Sequence, residues 1–272
     1  MRRAIQVYRL FNLLSLDVVA GAIVCALFFG RIFSGSVTPY GWIGLGLTVW
    51  IIYTTDHLRD ANRIDQEAST GRHRFHQLHF ATLLSVVGVA IILDAVSLFF
   101  IRKQVLESGV ILALAVAVYL ITQRSLKFLK EIFIAILYTC GVLLPSVSVT
   151  KVVLSPTHYI LIFQFAILAL INLFIFSWFD REVDKQDNQY SFVTIVGERI
   201  TRRSIWFLLL MEALLTLIQW VYGELKIPSL CLGMMGLMLL LIFVFRASMA
   251  KDDYYRFFGD GVFLFPGIYL LC

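Results

Sequence analysis

The chain has 272 residues, 60 % of them hydrophobic and 15 % charged, whereas water-soluble domains run near half apolar and a quarter charged. That balance excludes a soluble globular domain. The net charge of +5 does not signal nucleic acid, because in so apolar a chain the placement of Lys and Arg reports membrane topology, and no nucleic-acid partner is expected.

The apolar residues fall in blocks of about twenty, the length that crosses a bilayer. Nine spans are expected, at 13–33, 40–55, 78–101, 108–123, 131–150, 159–179, 204–222, 227–246 and 257–272. The first follows Arg2, Arg3 and Arg9 as a signal peptide would, but it carries Asp17 and runs on to residue 33; it is read as a retained helix. With nine spans, 18 of the 23 Lys and Arg lie on the side of the N-terminus, and only Arg31, Arg102, Lys103, Lys151 and Lys226 on the other. This bias predicts an integral membrane protein with a cytoplasmic N-terminus and its C-terminus opposite. Cys25, Cys140, Cys231 and Cys272 lie far apart in apolar runs, as small hydrophobes rather than a disulfide or zinc site.

Two carboxylate pairs stand out. Asp56 and Asp60 end the second span; Asp180 and Asp184 end the sixth, with Asp187 beyond. Residues four apart share one face of a helix, and the topology puts both pairs at the cytoplasmic rim. Single carboxylates at a helix end are commonly solvated caps. Four converging on one cavity would repel and take up protons unless a divalent cation relieved them. Mg2+ suits this role, since it sits between one or two carboxylates and a ligand phosphate, with Arg and Lys taking the remaining phosphate charge. In a membrane the matching ligand is a diphosphate with a hydrophobic tail. Ionising an allylic diphosphate needs a stabilised leaving group and a dry pocket whose aromatic faces steady the cation.

The sequence resembles the UbiA superfamily of intramembrane prenyltransferases over most of its length. Asp56-His-Leu-Arg-Asp60 resembles the latter part of the first motif, NxxxDxxxD, and Asp180-Arg-Glu-Val-Asp184 resembles the second, DxxxD. Ser191, then Gly197, resembles the continuation of the second motif, and Lys130 with Gly141 resembles the opening of the fifth helix. The resemblance implies one all-α membrane domain over 1–272, nine helices in a bundle around a central cavity. It implies Mg2+ held by Asp56, Asp60, Asp180 and Asp184, which bridge it to a prenyl diphosphate for transfer to a lipophilic or aromatic acceptor. Lys130 would contact the diphosphate, and Lys127 could substitute for it. On chemistry alone, Arg59 and Arg181 beside the motifs are further phosphate partners. The sequence departs from the pattern at Ile52 and Tyr53, where the family has Asn and a frequent Asp, and at Leu126 in place of Tyr. It departs again at Asn188-Gln189-Tyr190, where the Lys is missing. A terpene cyclase on the same fold, a non-catalytic isoprenoid-lipid-binding relative and a transporter are the alternatives.

Several other residues are open to two readings. His57 is a partner of the metal's ligands, an acid/base group or a solvated cap, and His73, His76 and His79 are ligands or part of a polar loop. Asp17 lines the cavity or is structural, Asp94 lies near the outer surface, and Asn172 faces the cavity or bonds between helices. Asp260 between its glycines reads as structural.

Overall fold

The computed structural model describes residues 9–64, 66–187 and 189–271, without the side chain of Arg124. Arg2, Arg3, Asn188 and Cys272, singled out above, lie outside the described residues. Among those described every element is helical. The long helices are α1 (Leu16–Ile32), α2 (Pro39–Ala61), α4 (Phe80–Ser97), α5 (Lys103–Leu126), α6 (Lys130–Val147), α7 (Pro156–Gln186), α9 (Glu198–Tyr222) and α10 (Lys226–Val244). Short helices fill the connections: α3 (Gly71–Leu78), α8 (Phe192–Val196) and α11 (Arg246–Met249). The chain ends in α12 (Tyr254–Gly261) and α13 (Gly267–Leu271).

Six of these segments are long and apolar enough to cross a membrane: Phe80–Phe100, Lys103–Gln123, Lys127–Val147, Pro156–Gln186, Glu198–Tyr222 and Lys226–Val244. The other three expected spans differ for local reasons. α1 has 17 residues, and α2 is 23 residues long but its last turns are polar. The last is broken into α12, a 3-10 turn at Val262–Leu264 and α13, next to Pro266, which lacks an N–H to continue a helix.

Helix starts follow from sequence. Thr38 accepts from the Gly41 N–H ahead of α2, with Pro39 in the first turn. Ser155 and His158 form a capping box at α7, again followed by proline; such caps satisfy N–H groups that have no intrahelical partner. The helices pack α4–α2–α1–α6–α7, with α9 and α10 against α7 and each other, and α5 against α6. α7 is the most buried span. Phe29, Tyr138, Phe165 and Phe263 fill the interior, ring centroids 5.3 to 6.0 Å apart.

Within the membrane region, polar side chains join helices where hydrocarbon offers them no other partner. Gln164 of α7 donates to Glu212 Oε1 (3.3 Å) and Thr216 Oγ1 (3.0 Å) of α9, and Ser229 of α10 donates to Gln164. Glu212 has no counterpart among the acids picked from the sequence. Asp94 accepts from Thr48 of α2 at 2.9 Å, so it braces α4. Cys25 and Cys140 form no disulfide among the described residues, but Cys140 is exposed rather than buried.

The connection from α2 to α4 is not an open loop. Gln77 Nε2 donates to the carbonyls of Ala61, Ile64 and Gln66, and its Oε1 accepts the Ala68 N–H. Thr70 caps α3 through the His73 N–H. One side chain thus fixes the path of the segment between Ala61 and Ala68. Gln77→Leu is expected to remove these bonds and cost about 1–3 kcal/mol. Trypsin would then cut faster at Arg63, Arg72 or Arg74 in folded protein; an unchanged digestion rate would show that the connection is held by other contacts.

Candidate functional site

The helix ends bring both carboxylate pairs within electrostatic reach of Lys130. Lys130 opens α6 and points its ammonium at Asp60 Oδ2, 3.8 Å away. It also lies within electrostatic reach of Asp56 and of Asp184. Lys130 thus faces the end of α2 and senses the charge at the end of α7, more than a hundred residues away in sequence.

Each pair contains one carboxylate bound by a base and one bound by a neutral donor. Asp60 has Lys130 and, at 3.7 Å, Arg63. Its neighbour Asp56 accepts from Gln123 Nε2 of α5 at 3.3 Å. Asp180 accepts from Arg256 Nη2 at 2.6 Å and from the Tyr255 hydroxyl. Asp184 lies beside the Ser191 side chain. Tyr255 stacks on Phe179 with ring centroids 4.4 Å apart, which orients the hydroxyl toward Asp180.

The two cations sequence reasoning placed beside the motifs point elsewhere. Arg59 donates to the Leu120 carbonyl of α5. Arg181 pairs with Glu198 at 3.0 Å, lies 4.6 Å over the Trp178 ring and donates to the Trp178 carbonyl. Lys127 is exposed in the turn between α5 and α6, where the backbone φ is 46°. Arg256 and Tyr255 were counted in the sequence only as a basic residue and an aromatic one.

The α2–α4 connection closes over this end of the bundle. Ser69 donates its hydroxyl to Asp187 Oδ1 (2.7 Å) and its N–H to Oδ2 (3.4 Å). Beneath it, Arg72 Nη2 bonds the side-chain and backbone oxygens of Asn12 and lies 3.6 Å from Asp260 Oδ2. Asn12 in turn donates to Asp17 and to Asp260. Asp17 and Asp260 thus belong to a buried network that fastens α3 to α1 and α12. His57, His73 and His76 pack together, the His57 ring 5.2 Å from His76 and 6.3 Å from His73. His76 is buried and meets the Arg72 carbonyl through Nδ1. Burial, reinforced by Arg256 and Arg72, lowers the His73 pKa to about 4, and burial also lowers His76. Both are neutral at pH 7 and belong to the packing rather than to a solvated polar loop. Asn172 is buried, and its Oδ1 has no hydrogen-bond partner among the described residues.

Among the described residues no three His, Cys, Asp or Glu side chains gather closely enough to form a metal cage. Mg2+ does not require one, since it binds through one or two carboxylates together with phosphate oxygens and water. Asp56 and Asp184 are hard oxygen donors without a hydrogen-bonded base. Four carboxylates against Lys130, Arg63 and Arg256 leave a net negative charge at this end of the bundle, as a cation site needs. The donor set fits the ion.

No protein-family model matches the sequence, and no curated protein matches it. Solved structures match over nearly the whole chain. A UbiA homologue from Aeropyrum pernix K1 in its apo form superposes with a TM-score of 0.67 at 13 % identity, covering 94 % of this chain and 96 % of that one. A UbiA homologue from Archaeoglobus fulgidus bound to DMAPP and Mg2+ gives 0.68 at 14 % identity, over 96 % and 97 % of the two chains. The homologue from that organism bound to GPP and Mg2+ gives 0.69 at 12 %, over 96 % and 99 %. The chain has the fold of the UbiA homologues.

Proposed function

We propose that the chain is a divergent UbiA-superfamily prenyltransferase, a single membrane domain of nine spans. It would use Mg2+ to transfer a prenyl group from an isoprenoid diphosphate to a lipophilic or aromatic acceptor, at a site opening on the cytoplasmic rim. The observation that supports this reading is Lys130, 3.8 Å from Asp60 Oδ2 and within electrostatic reach of Asp184. It places a base between two carboxylate pairs, where a diphosphate would be held. The Archaeoglobus structures that share the fold hold DMAPP or GPP with Mg2+.

Bound Mg2+ would neutralise charge on the leaving diphosphate. Asp56 and Asp184 would hold it, with Asp60 and Asp180 able to join once their bases turn to phosphate. Lys130 and Arg256 would take that phosphate charge as the carbon–oxygen bond breaks. The prenyl chain would need room in the apolar interior, where Tyr138, Phe165 and Phe263 pack ring to ring; once parted, their faces and edges would meet a developing allylic cation. The folded α2–α4 connection would exclude water from the reacting end. Arg181 is engaged with Glu198 and Trp178, while Arg59, bonded to the Leu120 carbonyl, stays within electrostatic reach of Asp56 and would be a further phosphate partner with Lys127; Arg256 would join them at Asp180.

The test is calorimetry on detergent-purified protein titrated with geranylgeranyl thiodiphosphate, a non-hydrolysable analogue, with and without Mg2+. Binding is expected only with Mg2+ and is expected to vanish in Asp56→Ala and in Asp184→Ala. If no prenyl chain length binds, or binding ignores Mg2+ and both substitutions, the transferase reading fails.

A further inference from the structure

A groove of about 410 Å³ runs between α7 and α9 on the outside of the bundle, apart from the carboxylates. Its floor is the stacked pair Phe174 and Phe192, ring centroids 4.1 Å apart at 18°. Its walls are Leu170, Phe207 and Leu208, and at one end stand Arg203 and Ser204. The groove is therefore graded. Residue 203 lies in the second turn of α9, at the same end of the bundle as Asp180 and Lys130, while Leu170 and Leu208 lie deeper along their helices.

The floor is built rather than loose. Phe192 opens α8, its N–H donates to Glu131 Oε1 at 2.6 Å, and Glu131 itself is buried. Phe207, by contrast, is 64 % exposed, so the groove opens sideways to the surroundings of the bundle. Arg203 has no hydrogen-bond or ion-pair partner among the described residues, nor do Arg199 and Arg202, which line an adjoining pocket of about 180 Å³ with Trp178 and Glu198. A guanidinium without a counter-charge beside hydrocarbon is costly unless an anion or water meets it.

We propose that this groove binds one anionic phospholipid of the adjacent leaflet, its phosphate on Arg203 and Ser204 and one acyl chain over Phe174 and Phe192. The graded shape matches an amphiphile lying along the bundle, and the unpaired Arg203 selects a negative headgroup. The size suits an acyl chain, within the range of about 300–1,000 Å³ typical of ligand pockets. The argument for this groove does not rest on the prenyl-diphosphate reading, since none of its lining residues is a carboxylate or base of that site.

Native mass spectrometry of the purified protein, offered equal amounts of phosphatidylglycerol and phosphatidylcholine, tests this. One phosphatidylglycerol is expected to be retained in preference, and Arg203→Gln to weaken that preference about five-fold, the worth of one basic residue facing an anionic leaflet. Leu170→Trp, which fills the groove, should reduce retention of both lipids. Lys251→Gln, an exposed basic residue elsewhere on the chain, should change neither. Equal retention of the two lipids by the unaltered protein, retention of neither, or an undiminished preference in Arg203→Gln would overturn the assignment.

Discussion

Arg256→Ala is expected to lower the unfolding free energy by about 3–5 kcal/mol, the usual cost of stripping one partner from a buried ion pair. Arg256 and Asp180 are only 16 % and 13 % exposed at their side chains, so the carboxylate left behind has little water to replace the guanidinium. Part of the loss is packing, since Arg256 also lies over the rings of Tyr255 and Phe176, and a long Arg stem covers apolar surface. The double variant Asp180→Asn with Arg256→Met separates the two contributions. It keeps the volume and removes both charges, and it should recover most of the loss. Denaturant unfolding in micelles, followed by tryptophan fluorescence, reads all three proteins. A loss below about 1 kcal/mol for the single variant would mean that the pair behaves like a solvated surface bridge.

Gly259→Val is expected to destabilise by about 1–3 kcal/mol through overpacking and to damage the site with it. A Cβ at Gly259 would stand 2.5 Å from Phe176 Cε1 and 2.7 Å from Asn172 Oδ1. Asn172 is buried on α7 and Phe176 packs against Tyr255 of α12, so relief of the clash shifts α12 or the Phe176 ring that Tyr255 rests on. α12 carries Tyr255 and Arg256, and their bonds to Asp180 span 75 and 76 residues of sequence. The expected signature is a loss of analogue binding together with the loss of stability, where Gly261→Ala, with open space at its Cβ, changes binding little. Wild-type affinity in Gly259→Val would show that Asp180 keeps its partners without this close approach.

The helical membrane character and the two Asp pairs were legible in the sequence because they are local. An apolar run of twenty residues and a spacing of four carry their own geometry. The partners of the carboxylates were not. Arg59 and Arg181 adjoin the motifs in sequence, yet a residue next to an aspartate on a helix projects about 100° away from it, and both arginines reach other partners. Arg256, Gln123 and the Tyr255 hydroxyl come from distant helices and left no local pattern. The histidines misled for a related reason. Polar composition marks the α2–α4 connection as a loop, but the four bonds of Gln77 and the Arg72 network fold it, and that pairing is set by the tertiary arrangement. The last span failed as a single helix because Pro266 interrupts it, a signal that stood in the sequence.

The pairing of Asp180 with Arg256 sets an order of events during synthesis. The chain emerges from its N-terminus, so Asp56 and Asp60 are made first and wait some seventy residues for Lys130. Asp180 then waits a further 76 residues for its guanidinium. Until α12 docks, the later half of the constellation carries an uncompensated charge at a membrane helix end. Assembly therefore finishes from the C-terminal side, and a ribosome-bound intermediate ending before residue 254 would hold a bundle whose hydrocarbon-facing helices are in place while its acidic centre is still incomplete.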